Sequence, residues 1–175
     1  MDQIRTVIVE IERLKGEKKF HEAIQILEAQ IGKNADDYRL YEELSDIYLY
    51  TGNISKSMKA VNFALGLNPE SATGNYLKGF LLLSQDKIHE AMRYLEVSNT
   101  IIGNNAEVLR NLGWGYTMLG QSERWIAILK RALNISPEDE LISEDLAMAL
   151  IGAGEVLEGN ILLKKIGKKN SSSVK

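Results

Sequence analysis

The side chains able to do chemistry are few and poorly spaced for it. Two histidines, His21 and His89, are the only imidazoles in 175 residues, and cysteine is absent. That removes disulfides, zinc–thiolate sites and thiol nucleophiles together. Phosphate-binding glycine loops, a His-Glu-x-x-His zinc helix and an EF-hand loop are also missing from the sequence. The nearest glycine-rich string is Leu112-Gly113-Trp114-Gly115-Tyr116. The densest acidic group is Glu42, Glu43 and Asp46. Glu42 and Asp46 are four apart and share a helix face, a spacing that would suit a metal or an acid–base pair. It equally suits a solvated acidic face near a helix start, where the dipole favours negative charge. Asn53-Ile54-Ser55 and Asn134-Ile135-Ser136 would be glycosylation acceptors only in a secreted chain. The expectation is a protein with no catalytic residues, no metal and no cofactor, and not an enzyme.

Composition narrows the class. Hydrophobic residues make up 45% and charged residues 26%, too much apolar content for a disordered chain. Two prolines and three phenylalanines are an odd inventory for an all-β fold. The N-terminal residues lack the basic and apolar regions of a signal peptide, and no apolar run approaches the roughly 18 residues of a membrane span. The cytoplasm is the expected compartment. Net charge is −3, which argues against nucleic acid as a partner. From Lys164 onward there are five lysines and no acid, which leaves residues 1–163 with eight negative charges in excess. Cations there suit a helix end that frays into a polar tail.

What must position these residues is a repeat. Pro69 and Pro137 lie 68 apart in the similar strings ALGLNPES and ALNISPED, and half of 68 is 34. Blocks 4–37, 38–71, 72–105, 106–139 and 140–173 then align without gaps. Column 24 reads Leu27, Val61, Leu95, Leu129, Leu163, and column 11 reads Leu14, Tyr48, Leu82, Tyr116, Leu150. Column 8 is mostly small: Ile11, Ser45, Gly79, Gly113, Ala147. Column 15 reads Lys18, Gly52, Asp86, Gly120, Gly154, and column 34 reads Asp37, Ser71, Asn105, Asp139.

Apolar columns 4, 7, 8 and 11 share one face of a first helix, and columns 20, 24 and 27 one face of a second. Small residues in columns 8 and 20 let the two approach. Glycine in column 15 can turn the chain with positive φ, and column 34 holds only good N-cap residues. The prolines stand two residues ahead of that cap, where a helix has already stopped. Both histidines fall in column 18, two repeats apart. With four helices at ~8–10 Å spacing between them, they lie roughly 20 Å or more from one another and share no metal.

This pattern resembles the tetratricopeptide repeat (TPR) family, a 34-residue helical hairpin with the profile W-x2-L-G-x2-Y, A-x3-F-x2-A and P. The best matches are Tyr41 to Tyr48 with Ala64 and Pro69, and Leu109 to Tyr116 with Leu129, Ala132 and Pro137. The resemblance implies an all-α, right-handed α-solenoid of five TPR helix-turn-helix repeats. It would form a single domain over 1–170, with repeats at 4–37, 38–71, 72–105, 106–139 and 140–170 and a disordered polar tail at 171–175. Departures stand at Glu10 and Lys78 in column 7 and at Trp125 and Gly159 in column 20. Trp125 is too large for a tight interhelical contact, so either a splayed fourth repeat or a reshaped neighbour is expected.

In TPR proteins the first helices line a concave groove, and the resemblance implies that columns 2, 5, 6, 9, 12 and 13 face it. The groove residues expected to bind a partner are Glu42, Asp46, Tyr50, Tyr76, Phe80, Leu83, Arg110, Trp114 and Met118. Met148 and Ile151 extend the apolar strip. Large apolar groups in solvent-facing columns call for something to cover them, unless superhelical curvature packs some of them as core. The Lys/Asn clamp that one TPR subclass uses for a terminal carboxylate fits no three successive repeats here. The ligand expected in the groove is therefore a partner protein or peptide, an amphipathic helix or extended segment with a basic end. An alternative is a structural scaffold that forms homo-oligomers through its terminal repeats, using Val156, Ile161, Leu162, Leu163 and Ile166 in the last helix and Ile4, Val7, Ile8 and Ile11 in the first.

Overall fold

A computed structural model describes residues 3–103 and 105–172. Among them the chain is all helix, with no strand. In order come α1 (Gln3–Gly16), α2 (Phe20–Ile31), α3 (Tyr38–Tyr50), α4 (Ile54–Leu67), α5 (Ala72–Leu83), α6 (Ile88–Ile102), α7 (Ala106–Met118), α8 (Ser122–Ile135), α9 (Glu140–Gly152) and α10 (Val156–Ser172). Odd and even helices pair as hairpins, one to each 34-residue block. The chain divides into two compact units, Met1–Ile101 and Ile102–Lys175. The expected polar tail begins inside α10, which runs to Ser172; residues 173–175 lie outside the described residues.

The repeat columns become backbone geometry at both ends of each hairpin. Column 34 caps the next helix: Asp37, Ser71, Asn105 and Asp139 accept from the N–H groups of Arg39, Gly74, Val108 and Ile142. Column 15 takes a left-handed backbone in all five blocks, with φ of 59° at Lys18, 76° at Gly52, 57° at Asp86, 68° at Gly120 and 92° at Gly154. The following N–H closes the turn on the column 11 carbonyl each time: Lys19 to Leu14, Asn53 to Tyr48, Lys87 to Leu82, Gln121 to Tyr116 and Glu155 to Leu150. This is the Schellman ending of a helix. Lys18 adopts φ > 0 against its own Cβ, so Lys18→Gly is expected to raise stability by about 0.5–1 kcal/mol, read as a higher denaturant midpoint with unchanged slope.

The two helices of a hairpin meet where columns 8 and 20 face each other, and the two columns exchange bulk. In the second block Ser45 and Ser57 are both buried, and each hydroxyl donates to the other's carbonyl at 3.0 and 2.8 Å. In the third, a Cβ on Gly79 would lie 2.6 Å from Leu95 and 3.3 Å from the Ala91 carbonyl. In the fifth, a Cβ on Gly159 would lie 2.7 Å from the Ala147 carbonyl. The fourth block resolves the expected misfit of Trp125. Its ring is buried directly over Gly113, where a Cβ would fall 2.1 Å from ring carbons Cε2 and Cζ2. The tryptophan occupies the volume that a missing side chain leaves.

Each unit has its own core. In the first, Ile4, Ile11, Leu14, Ala23, Leu27, Leu40 and Ile47 form one cluster, and Val61, Leu77 and Leu81 a second. In the second, Leu109, Leu112, Leu129 and Leu150 are almost fully buried. The polar departures in column 7 stay at the margin: Glu10 pairs with Arg13, and the Lys78 ammonium sits 4.4 Å from the centre of the Tyr94 ring.

Candidate partner-binding surface

In the first unit, α1 and α3 lie side by side and bring one lysine among three carboxylates. Lys15 Nζ reaches Glu12 at 2.7 Å, Glu43 at 3.1 Å and Asp46 at 2.5 Å, with only 16% of its side chain exposed. Burial works against the ammonium charge, yet the hydrogen bonds to Asp46 and Glu12 and the field of Glu43 outweigh it, so Lys15 is held above the usual lysine range. Burial pushes the Glu43 carboxyl up, to about 7, against the pull of Lys15. Asp46 is therefore committed to an ion pair.

Glu42 is buried rather than open to solvent. It is 6% exposed, and the Ser71 hydroxyl donates to its carboxylate. Gly74 makes room: a Cβ there would stand 2.9 Å from Glu42 Oε1. Burial raises the Glu42 carboxyl, and the hydrogen bonds from Ser71 and the Gly74 backbone offset part of that rise. Glu42 thus ties α3 to the start of α5. Leu83 is buried as well. Tyr76 packs half-buried against the Val61–Leu77–Leu81 cluster, with its ring 6.4 Å from that of half-buried Phe80. Of the residues expected in this unit's groove, only Tyr50 is open, 74% exposed with its ring 5.6 Å from Phe20.

In the second unit two of the expected residues, Arg110 and Trp114, line one cleft. α7 and α9 run side by side and border a cleft of about 460 Å³. Trp114 and Met148 form its walls, and Gly113 with Trp125 its floor. Arg110 and Asp145 stand at one end, paired at 3.4 Å. Burial raises the Asp145 carboxyl and Arg110 opposes that rise. Met118, one turn beyond Trp114 on α7, is 57% exposed. The floor is what the sequence did not disclose: a tryptophan in column 20 reads as a misfit until the glycine opposite it is seen as its seat.

The terminal helices differ from one another. Of the apolar residues of α1, Ile4 and Ile11 are buried, and Val7 and Ile8 pack against the core. On α10, Leu162, Leu163 and Ile166 are half-buried, while Val156, Leu157 and Ile161 stay exposed. Among the described residues, no group of three or more His, Cys, Asp or Glu side chains is placed to hold a metal ion, and no helix is long and apolar enough to cross a membrane.

Comparison with known proteins agrees with the repeat frame. The tetratricopeptide repeat family model matches residues 38–71 and 106–139, the second and fourth blocks. No curated protein sequence matches the chain. Among solved structures, MamA from Desulfovibrio magneticus is 18% identical, with 100% of this chain and 99% of that one covered at a TM-score of 0.81. PilF from Pseudomonas aeruginosa is 13% identical, covering 94% and 75% at 0.82. A putative kinesin light chain of Podospora anserina with TPR-like repeats is 15% identical, covering 98% and 96% at 0.77. At such identities the likeness is one of fold. The family's own pattern is met in two of the five blocks, and the same left-handed turn joins the two helices of every block, so the chain is similar to tetratricopeptide repeat proteins in repeat pattern and in fold.

Proposed function

We propose that the protein is a non-enzymatic interaction module whose cleft between α7 and α9 takes an apolar segment of a partner polypeptide. The carrying observation is that Trp114, Met118 and Met148 remain 45%, 57% and 60% exposed on adjacent helices. Aromatic and methionine side chains are the types enriched at interface cores. The Arg110–Asp145 pair at the end of the cleft supplies polar groups to orient what enters. The fold itself favours this reading, since repeat solenoids present their helix rows to protein ligands. In the first unit Tyr50 is the residue free to contribute, because Glu42 and Leu83 are buried and Asp46 is paired.

Trp114→Ala combined with Met148→Ala is expected to weaken partner binding at least about tenfold, the range of an interface hot spot. Trp114 is 45% and Met148 60% exposed, so the helix content read by far-UV circular dichroism should stay as it is. Pull-down from source lysate with wild type and the variant, followed by titration of the captured protein, checks this. A partner retained equally by the variant would remove the cleft from consideration.

Self-association is the second reading, and α10 favours it, with Leu157 79% and Ile161 59% exposed. The first helix offers less, since Ile4, Val7, Ile8 and Ile11 serve the core and Val9, 64% exposed, is left outside it.

A further inference from the structure

The second unit carries two uncovered apolar surfaces, the cleft between α7 and α9 and the outer stripe of α10. We infer that they cover each other between copies: the C-terminal helix of one molecule docks antiparallel to α9 in the cleft of another. This deepens the cleft reading by naming its occupant, and it rests on that reading.

The argument is one of matching order along two helices. On α10 the residues Leu157, Ile161 and Lys164 follow at i, i+4 and i+7, so they form one stripe, apolar first and cationic last. That stripe lies opposite the Leu162–Ile166 side that packs inward, and all three of its residues are exposed. The one acid within α10, Glu158, is drawn aside to Lys130 at 3.4 Å and leaves Lys164 unopposed. The cleft has the reverse order. Reading from the helix starts, Glu107 on α7 and Glu144 on α9 are exposed, and Trp114 and Met148 follow one to two turns later. With Asp145 balanced by Arg110, the entrance end keeps the two exposed glutamates as excess negative charge.

The spacings agree. At 1.5 Å rise per residue, Met148 stands about 6 Å along its helix from Glu144, and Ile161 about 4.5 Å from Lys164. An antiparallel α10 therefore sets Leu157 and Ile161 against Trp114 and Met148 while Lys164 arrives at Glu144. A parallel helix would bring the lysine to the apolar end. The two surfaces differ, so the contact is head-to-tail. Each added copy leaves one cleft and one helix free, which builds rings or open chains rather than stopping at a dimer.

Sedimentation of the full chain from about 1 µM to about 1 mM tests this. Expected is a weight-average mass that climbs with concentration past that of a dimer and falls with added salt. Leu157→Glu should weaken association at least tenfold with unchanged helix content, because the side chain is exposed. Lys164→Glu and Glu144→Lys should each weaken it several-fold, and together restore it to near the wild-type level. A wild type that stays monomeric throughout overturns the inference. So does association that Glu144→Lys leaves untouched, since α10 would then be docking elsewhere. The two readings fail separately. A monomeric wild type that still loses its partner on Trp114→Ala refutes self-docking and keeps the cleft, whereas self-association that survives Trp114→Ala refutes the cleft as its seat.

Discussion

Gly113→Ala will destabilise the second unit by about 1–2 kcal/mol, although the same exchange inside an ordinary helix stabilises by up to about 1 kcal/mol. The sign turns on one contact. The new methyl would lie 2.1 Å from Cε2 and Cζ2 and 2.7 Å from Cδ2 of Trp125, a ring only 6% exposed that would have to shift to admit it. Trp125→Ala alone leaves a cavity beside Gly113 and should cost about 3–5 kcal/mol. The double variant decides the matter. Once the ring is gone, the methyl added at Gly113 meets open space, and the pair resembles the small residues of the third block, Gly79 and Ala91. Gly113→Ala should then become neutral or favourable, giving a coupling energy of about 2–3 kcal/mol in a double-mutant cycle. Urea unfolding followed by circular dichroism supplies all four corners. Additive costs would mean that the two columns do not share their volume.

Lys15→Ala will cost about 2–3 kcal/mol at pH 8 and far less near pH 5. The lysine sits among Glu12, Glu43 and Asp46, and its removal leaves three carboxylates facing each other with no cation between them. In the wild type, burial places the folded-state pKa of Glu43 at about 7, above the 4.5 of an ordinary glutamate. Between those values the folded state holds more protons at Glu43 than the unfolded one, so the contribution of this group is fully present below pH 4.5 and is lost as pH rises through 7. Without Lys15 the Glu43 carboxyl rises further, so the window extends upward and the total loss across it grows. Denaturant unfolding at pH 5 and pH 8 compares the variant with wild type. An equal loss at both values would mean that Lys15 acts through the packing of its stem rather than its charge.

The hairpins were legible because their signals are local. A cap at column 34 or a left-handed residue at column 15 concerns bonds within a few residues, and each block states it anew. Even Lys18 and Asp86, which lack glycine's freedom, obey the column. The cleft was legible through Arg110 and Trp114, whose columns fix the direction of each side chain. Glu42 escaped because its column places the backbone and not the carboxylate. The Ser71 hydroxyl and the space above Gly74, some thirty residues on, draw it into the seam. Leu83 escaped because it ends the run Leu81-Leu82-Leu83, where apolar residues on all sides bury the helix whichever face looks outward. Trp125 was judged by the family's preference for alanine, and its fit depends on a residue in a different column.

The two tryptophans of the chain, Trp114 and Trp125, both belong to the second unit, one open to solvent and one sealed in the core. Intrinsic tryptophan emission is thus blind to the first unit, whose emitters are tyrosines. Emission and far-UV circular dichroism will report one curve only when both units melt together. The gap between the two curves is a direct optical measure of how independently the halves of the chain unfold. Selective quenching of Trp114 by a soluble quencher, with Trp125 shielded as an internal reference, gives the same protein a label-free readout of whether its cleft is filled.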